Sequence, residues 1–442
     1  MLDKSHSERI IKKALKLSQA DYTEIMITGG KHSLTRFANN GIIQNLIQKD
    51  YSITIRSTID KKSGLASCNL FKGEDLEKTV KKSYETAKLS APDPDFITPA
   101  GPQEYIFPEE SYIEDTIDYT PRMRADLADR AIQRARAKNC SASGTITTGD
   151  SMTCIANCQG LMAYHSKTES AFTLTVTNSD DGTGWAEGIN QDVSELPIDN
   201  LAQKAVYMAN FNKNRKKIKP GKYKVLLDPD AVANMIMFLS YLGFSAQDYL
   251  EGRTFLCKSL NQKVTGSNLS LYEDVYNEKT AGTPFDAEGM PRKAVTLIEK
   301  GVALGMVHDR KTAAEMKTAS TGHATSISRG WGPVAANIRV PGGNIKKADM
   351  LKTLGDGLYI GNFFYDNVVD PLKTRITGMT RDGFFQVKDG KIVQALDRMR
   401  YNASVLEAFS RIAAMSEETI TFDRGITVSA PAMIIEDLSL TD

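Results

Sequence analysis

His308 and His323 lie fifteen residues apart, and Asp309 follows the first of them. An imidazole beside a carboxylate is the pairing expected of a general base whose tautomer is held by an acid. No nucleophile stands near either histidine in sequence. A histidine at a strand end and another in a glycine-rich loop account for the pair more simply. Cys154-x3-Cys158, with His165 downstream, offers three metal-binding side chains. Zinc sites favour tighter, paired spacing and four ligands, and no fourth is evident. Buried structural cysteines are the simpler reading. Gly355-Asp-Gly357 with Gly361 matches a dinucleotide fingerprint only loosely, because the third glycine is at the wrong offset and no strand–helix unit surrounds it. The chain has no Walker A loop, no Gly-x-Ser-x-Gly elbow and no His-Glu-x-x-His helix.

Two polar stretches punctuated by glycine remain. One runs from Ser320-Thr-Gly-His-Ala-Thr to Asn337, and the other is Ile376-Thr-Gly-Met-Thr-Arg-Asp-Gly-Phe-Phe. Thr380, Arg381 and Asp382 cannot all be buried without partners. Loops of this composition, held between strands, present groups to ligands. A tight turn with a structural Arg–Asp pair explains the second stretch nearly as well. His323, Asn337, Thr380, Arg381 and Asp382 are therefore the candidate substrate-binding residues, and no residue is assigned as catalytic or as a metal ligand.

The elements that would carry these residues follow from periodicity. A helix opens the chain, with Ser5 and Glu8 placed to form a capping box. Tyr51-Ser-Ile-Thr-Ile-Arg-Ser alternates as a half-buried strand does, and Asn40-Gly41 is a hairpin turn. A second helix covers 74–90. Five prolines between 92 and 108 mark an extended linker. Thr120-Pro121 then starts a helix whose buried stripe is read as Met123, Leu127, Ile132 and Ala135. The pattern now repeats about 120 residues on: strands at 145–157, 161–164 and 172–177, Gly184-Trp-Ala186 answering Gly64-Leu-Ala66, and a helix at 198–210. The basic run Lys213 to Lys224 reads as a solvated linker. Beyond it come a strand at 223–227, an apolar helix after Asp228-Pro229, hairpins turning at Lys300-Gly301 and Asp389-Gly390, and a helix at 402–414. The expected class is α+β, with a duplicated helix–strands–helix N-terminal half (1–100 and 120–215, joined by a linker at 101–119) and a larger mixed C-terminal domain at 220–442.

Composition bounds the function. A length of 442 residues suggests about three units. A hydrophobic share of 41% with 25% charged residues supports a real core and excludes disorder as the main state. Fifty-five basic against 54 acidic residues leave a net charge of +1, unlike a dedicated nucleic-acid binder. The most apolar stretch, 231–244, is broken by Asn234 and Ser240 and reads as a buried helix, not a membrane span. The first twenty residues lack an apolar signal core and carry Asp3 and Glu8. Five sparse cysteines fit a reducing compartment, so a cytoplasmic location is expected.

Several stretches together resemble the TldD/PmbA family, proteins once called modulators of DNA gyrase and grouped with metalloproteases. They are Leu34-Thr-Arg-Phe-Ala-Asn-Asn-Gly-Ile-Ile-Gln-Asn, Gly289-Met-Pro-Arg-Lys-Ala-Val, Leu297-Ile-Glu-Lys-Gly-Val, Ser320-Thr-Gly-His, Asp356-Gly-Leu-Tyr-Ile and Thr377-Gly-Met-Thr-Arg-Asp-Gly. The TldD-like branch carries His-Glu-x-x-x-His on a helix of the C-terminal domain and a further cysteine ligand. Here the corresponding helix reads Met235-Ile-Met-Phe-Leu-Ser-Tyr-Leu-Gly-Phe, and no cysteine follows Cys257. The resemblance is to the PmbA (TldE) branch. It implies a cytoplasmic chain with no cofactor of its own. The chain would pair with a TldD-like, zinc-bearing paralogue to degrade or mature peptides, binding peptide but neither nucleic acid nor membrane. A homodimer of the chain alone stays open. So do a hydrolase using His308 or His323 and a stand-alone peptide-binding or scaffold protein.

Overall fold

The computed structural model describes residues 2–71, 73–108, 111–327 and 332–441. Among them the chain forms one six-stranded and one eleven-stranded sheet, a mixed α+β fold.

The N-terminal half is built twice. Helix α1 (Lys4–Leu17) precedes strands β1 (Tyr22–Ala38), β2 (Gly41–Ile59) and β3 (Lys62–Cys68), and α2 (Gly73–Leu89) follows. After a short α3 (Glu114–Ile117), α4 (Pro121–Arg136) precedes β4 (Ser141–Asn157), β5 (Met162–Thr177) and β6 (Thr183–Asn190), and α5 (Ile198–Phe211) follows. The strand order β3-β2-β1-β4-β5-β6 is a pair of three-strand meanders joined through antiparallel β1 and β4. Helices cover one face of each meander. Ile11, Leu76 and Val80 meet Ile25, Ile27, Ile53 and Ile55 in the first. Leu127, Ala131 and Ala205 meet Ile146, Phe172 and Leu174 in the second.

Local chemistry places the ends of these elements. α1 is capped by Asp3, whose carboxylate accepts from the His6 amide at 2.7 Å, rather than by Ser5, which lies inside the helix. The β1–β2 turn is Asn39-Asn40, both left-handed at φ 50° and 62°, so Gly41 already belongs to β2. α4 starts at Thr120-Pro121 as the sequence predicts. Its buried stripe differs at one position: Met123 is exposed and Arg124 is fully buried. Arg124 stands three, four and seven residues before Leu127, Ala128 and Ala131, so it shares their face. It donates to the Tyr119 carbonyl at 2.6 Å and to Thr35 Oγ1 at 3.1 Å. Residues 91–108 cross toward the C-terminal half, where the Tyr105 hydroxyl donates to the Gly289 carbonyl at 2.7 Å.

The second sheet runs β10-β9-β8-β11-β17-β15-β13-β12-β7, with β14 on β13 and β16 on β17. Its strands are β7 (Gly221–Leu227), β8 (Leu271–Glu273), β9 (Val295–Glu299), β10 (Val302–Ala303), β11 (Asn337–Arg339), β12 (Gly357–Asp370), β13 (Arg375–Lys388), β14 (Lys391–Ala395), β15 (Arg400–Ser404), β16 (Ile412–Asp423) and β17 (Thr427–Thr441). Helix α6 (Pro229–Gly243) lies on it, buried along nearly its whole length. A helix apolar on most sides belongs in the core of a large domain, and Ala231, Val232, Met235, Ile236 and Leu239 fill that core. No helix among the described residues is long and apolar enough to cross a membrane.

Two expectations are corrected here. The helix expected at 402–414 is only Val405–Phe409, capped by Ser404 and flanked by strands. Tertiary pairing overrides the apolar periodicity, because β15 is taken by β13 and β17, and β16 by β17. The stretch 376–385, expected as a loop, is the interior of β13 between β12 and β15. Gly378 is there for space, not for a turn: a Cβ on it would sit 1.8 Å from an oxygen of the Asp366 carboxylate.

Candidate functional site

The candidate residues fall into two groups. His323 and Asn337 belong to a buried network around Glu273. His323 is fully buried, and its Nε2 lies 3.2 Å from Glu273 Oε1. This is a charge–charge contact between buried groups. His323 Nδ1 is 2.9 Å from Thr321 Oγ1. The Asn337 amide N–H donates to Glu273 Oε2 at 2.8 Å, its side-chain amide donates to the Thr280 carbonyl at 2.7 Å, and its Oδ1 accepts from Arg292 at 2.5 Å. Burial pushes the Glu273 carboxyl up, and His323 and Arg292 outweigh it and hold it below the ordinary range. This network is closed to solvent and holds β8 to β11. Residues 328–331 of the same polar stretch lie outside the described residues.

His308 does not form a base–acid pair with Asp309. The Asp309 carboxylate caps the helix Arg310–Glu315, accepting from the Thr312 amide at 2.7 Å and from its hydroxyl at 2.8 Å. Burial holds the His308 imidazole below its ordinary pKa. Nor do Cys154 and His165 converge. Thr153 stands opposite His165 in the β4–β5 register, which turns Cys154 to the other face.

Thr380 and Arg381 follow one another on β13 and point to opposite sides, and Asp382, left-handed at φ 44°, falls on the side of Arg381. Thr380 is fully buried, its hydroxyl accepting from the Met399 amide at 3.0 Å. Arg381 and Asp382 open onto a cleft of about 350 Å³ between the two sheets. One wall is β5 and β6, with Thr175 and Trp185. The other is the N-terminal half of α6, with Asp230 and Asn234, and the bulged part of β12 from Asn362 to Asp366. Larger clefts of about 540 Å³ at Lys167–Ala171 and about 680 Å³ at Ser240–Leu242 line up no buried polar atom without a partner among the described residues. The smaller cleft does, and it is the candidate site.

Its charges are ordered. Arg424, in the turn between β16 and β17, reaches across to form ion pairs with Glu187 of β6 and with Asp230 of α6, the latter at 2.9 Å. Burial pushes Glu187 up to about 7, against the pull of Arg424. Asp230 is also pushed up by burial. Arg381 lies over the Phe364 ring at 4.3 Å and within 2.9 Å of Asp382, whose other oxygen accepts from Thr183 at 2.6 Å. Asp366 takes the Tyr401 hydroxyl at 2.5 Å on one oxygen and the Asn234 amide at 2.6 Å on the other. Asp228, just before α6, holds Lys204 of α5 at 2.5 Å and Lys347 at 3.7 Å. Burial raises its carboxyl, and the two lysines more than reverse the effect. Two backbone features shape the cleft. β12 slips register between Phe364 and Asn367, with Tyr365 left-handed at φ 59°, and Asp382 is left-handed at φ 44°. Such bulges re-aim side chains.

Sequence reasoning located Arg381 and Asp382. It missed Glu187, Asp230, Asn234, Asn362, Asp366 and Arg424. The signal for Asp366 was Gly378, whose missing side chain marks a close approach.

The C-terminal fold decides the relationship. The PmbA/TldA metallopeptidase C-terminal domain matches residues 220–442, half of the chain. The chain belongs to the TldD/PmbA family. It is 22% identical over 437 residues to metalloprotease PmbA of Escherichia coli O157:H7, spanning 94% of this chain and 92% of that protein. Its fold is that of TldE from Thermococcus kodakarensis, with a TM-score of 0.90 and 19% identity over 99% of this chain and all of that one. A proposed modulator of a DNA gyrase from Thermotoga maritima superposes with a TM-score of 0.86 and 17% identity, over 98% of this chain and all of that one.

The family description implies a metal, and the residues of α6 offer it few ligands. They do not fit zinc. The helix carries no histidine or cysteine, and its acid, Asp230, is engaged by Arg424. Among the described residues no group of three His, Cys, Asp or Glu side chains is placed to hold an ion. The described residues lining the cleft include no histidine, serine or cysteine. They are suited to hold a polar, charged ligand.

Proposed function

We propose that this chain is the non-catalytic, peptide-binding subunit of a TldD/PmbA-type cytoplasmic protease, and that it completes a peptide-cleaving complex with a TldD-like, zinc-bearing paralogue. One observation carries the reading: α6 is filled with apolar side chains beside a polar cleft whose charged residues remain ordered. A fold that keeps a ligand-sized cleft and has no ligand set for zinc among its described residues suits binding rather than hydrolysis. The PmbA and TldE names of its relatives support the assignment to a protease system. Paralogous chains commonly assemble through matching surfaces about a two-fold axis, which gives the heteromer its expected form and allows a homodimer when the partner is absent.

The test is reconstitution. This chain, a TldD-like partner and their mixture are assayed on unfolded peptides. Cleavage is expected only in the mixture, and a chelator should abolish it. Chelator-insensitive cleavage by this chain alone would overturn the proposal, as would full activity of the partner alone.

A further inference from the structure

Of the three aspartates lining the cleft, two are matched by arginine. Asp230 has Arg424, and Asp382 has Arg381. Asp366 has none among the described residues. Its two partners, Tyr401 and Asn234, are neutral donors, and burial pushes its carboxyl above the ordinary range. The fold invests in this carboxylate. The bulge at Tyr365 turns it inward, and Gly378 leaves the room it occupies.

A second feature is independent of the first. Asn362 is only 8% exposed and lines the same cleft, yet its Oδ1 has no hydrogen-bond partner among the described residues. A buried acceptor left without a donor is costly, and a ligand N–H would recover that cost. The walls add Trp185 and Phe364. Arg381 and Arg424 already lie over those two rings, so the preference for a cation comes from the lone carboxylate. The two guanidiniums in the cleft do not cancel this preference, because each already lies against protein carboxylates.

We propose that the cleft binds a primary ammonium or guanidinium group of the peptide, with Asp366 as its counter-ion and Asn362 Oδ1 as a second acceptor. The inference rests on the peptide-binding reading and names what part of the peptide is recognised. The group has two possible sources, a lysine or arginine side chain or the peptide's amino terminus.

Three pentapeptide probes separate these sources in titrations of the full-length chain. The first is an N-acetylated, C-amidated peptide with a central lysine. The second replaces that lysine with norleucine. The third is the norleucine peptide with a free amino terminus. At least one charged probe is expected to bind roughly tenfold more tightly than the neutral one, a difference of about 1.4 kcal/mol. The lysine probe doing so assigns a side chain, and the free-amine probe assigns the terminus. Asp366→Asn should erase the difference between the charged and neutral probes. Because that variant could unfold, the wild-type comparison stands on its own, and melting temperature is recorded for the variant. Equal affinity for all three probes overturns the cation inference and leaves peptide binding intact. No binding by any probe overturns both.

Discussion

Gly64 and Gly184 stand about 120 residues apart in the chain and serve the same purpose in its two halves. Each lies where a helix rests directly on a strand. A Cβ on Gly64 would come within 2.2 Å of the Ala87 amide nitrogen in α2, and one on Gly184 within 2.0 Å of the Ala205 carbonyl oxygen in α5. Both obstacles are helix backbone, which cannot swing aside. Gly64→Ala and Gly184→Ala should each destabilise the chain by about 1–3 kcal/mol, the usual cost of overpacking. Gly101→Ala, with nothing within 4 Å, is the control and should change little. Thermal melts of the three variants check this.

Glu187 predicts a pH dependence. Burial raises its carboxyl from 4.5 to about 7, so the folded chain holds a proton there that the unfolded chain releases. Between those values the folded state binds more protons, and stability from this group falls as pH rises through the window. Asp230, also raised and facing the same Arg424, acts in the same sense, while Asp228 and Glu273 are lowered and act at more acid pH. Taken alone, Glu187 favours pH 5 over pH 8 by on the order of 2 kcal/mol, while His165, pushed down to about 4 by burial, favours pH 8 over the same range. Compared with the parent chain in denaturant titrations at the two pH values, Glu187→Gln should lose the Glu187 contribution and so shift the balance toward pH 8.

Arg381→Ala should impair peptide cleavage by the reconstituted complex and lower the melting temperature only slightly. The side chain is 38% exposed and rests on Phe364, so its loss leaves no deep cavity. A large drop in stability without a separate functional defect would make it a structural partner of Asp382.

Zinc should not co-purify with this chain. α6 offers Asp230 alone, already paired with Arg424. Elemental analysis after mild dialysis is expected to find far less than one zinc per chain. Near-stoichiometric metal surviving a weak chelator would revive an independent hydrolase.

Duplex DNA should not be a physiological ligand. The net charge is +1. Within the dense basic run at 213–224, Lys216 is tied to β14 by backbone bonds and Arg215 lies near Asp397. Filter binding at physiological salt should find no affinity below micromolar, and weak binding at low salt should fade steeply as salt rises.

Local features were legible in the sequence. Thr120-Pro121 and Asp228-Pro229 announce α4 and α6, and Asp389-Gly390 announces a hairpin with both residues left-handed. The duplicated half could be seen because its strands alternate and its glycines recur. The cleft could not be assembled in the same way. Trp185, Asp230, Asp366 and Arg424 come from segments far apart in the chain and meet only because β6, α6, the bulged β12 and the β16–β17 turn converge. The bulge itself is held by Tyr365, a residue with no preference for the left-handed region, so no composition rule marks it. Gly378 was visible, but a glycine among polar residues reads first as a turn. Only the carboxylate opposite it explains its size.

β17 has one more implication. It is the last strand in chain order and yet the hub of the larger sheet, pairing with β7, β11, β15 and β16. During synthesis Val225 and Leu227 of β7 emerge some two hundred residues ahead of their partners Ile435 and Met433. Through that interval β7 carries a bare, apolar edge of the kind that binds other unfolded chains. The N-terminal sheet contains its own partners and can close early. The C-terminal one must wait, so a nascent molecule is half folded and half adhesive until β17 arrives.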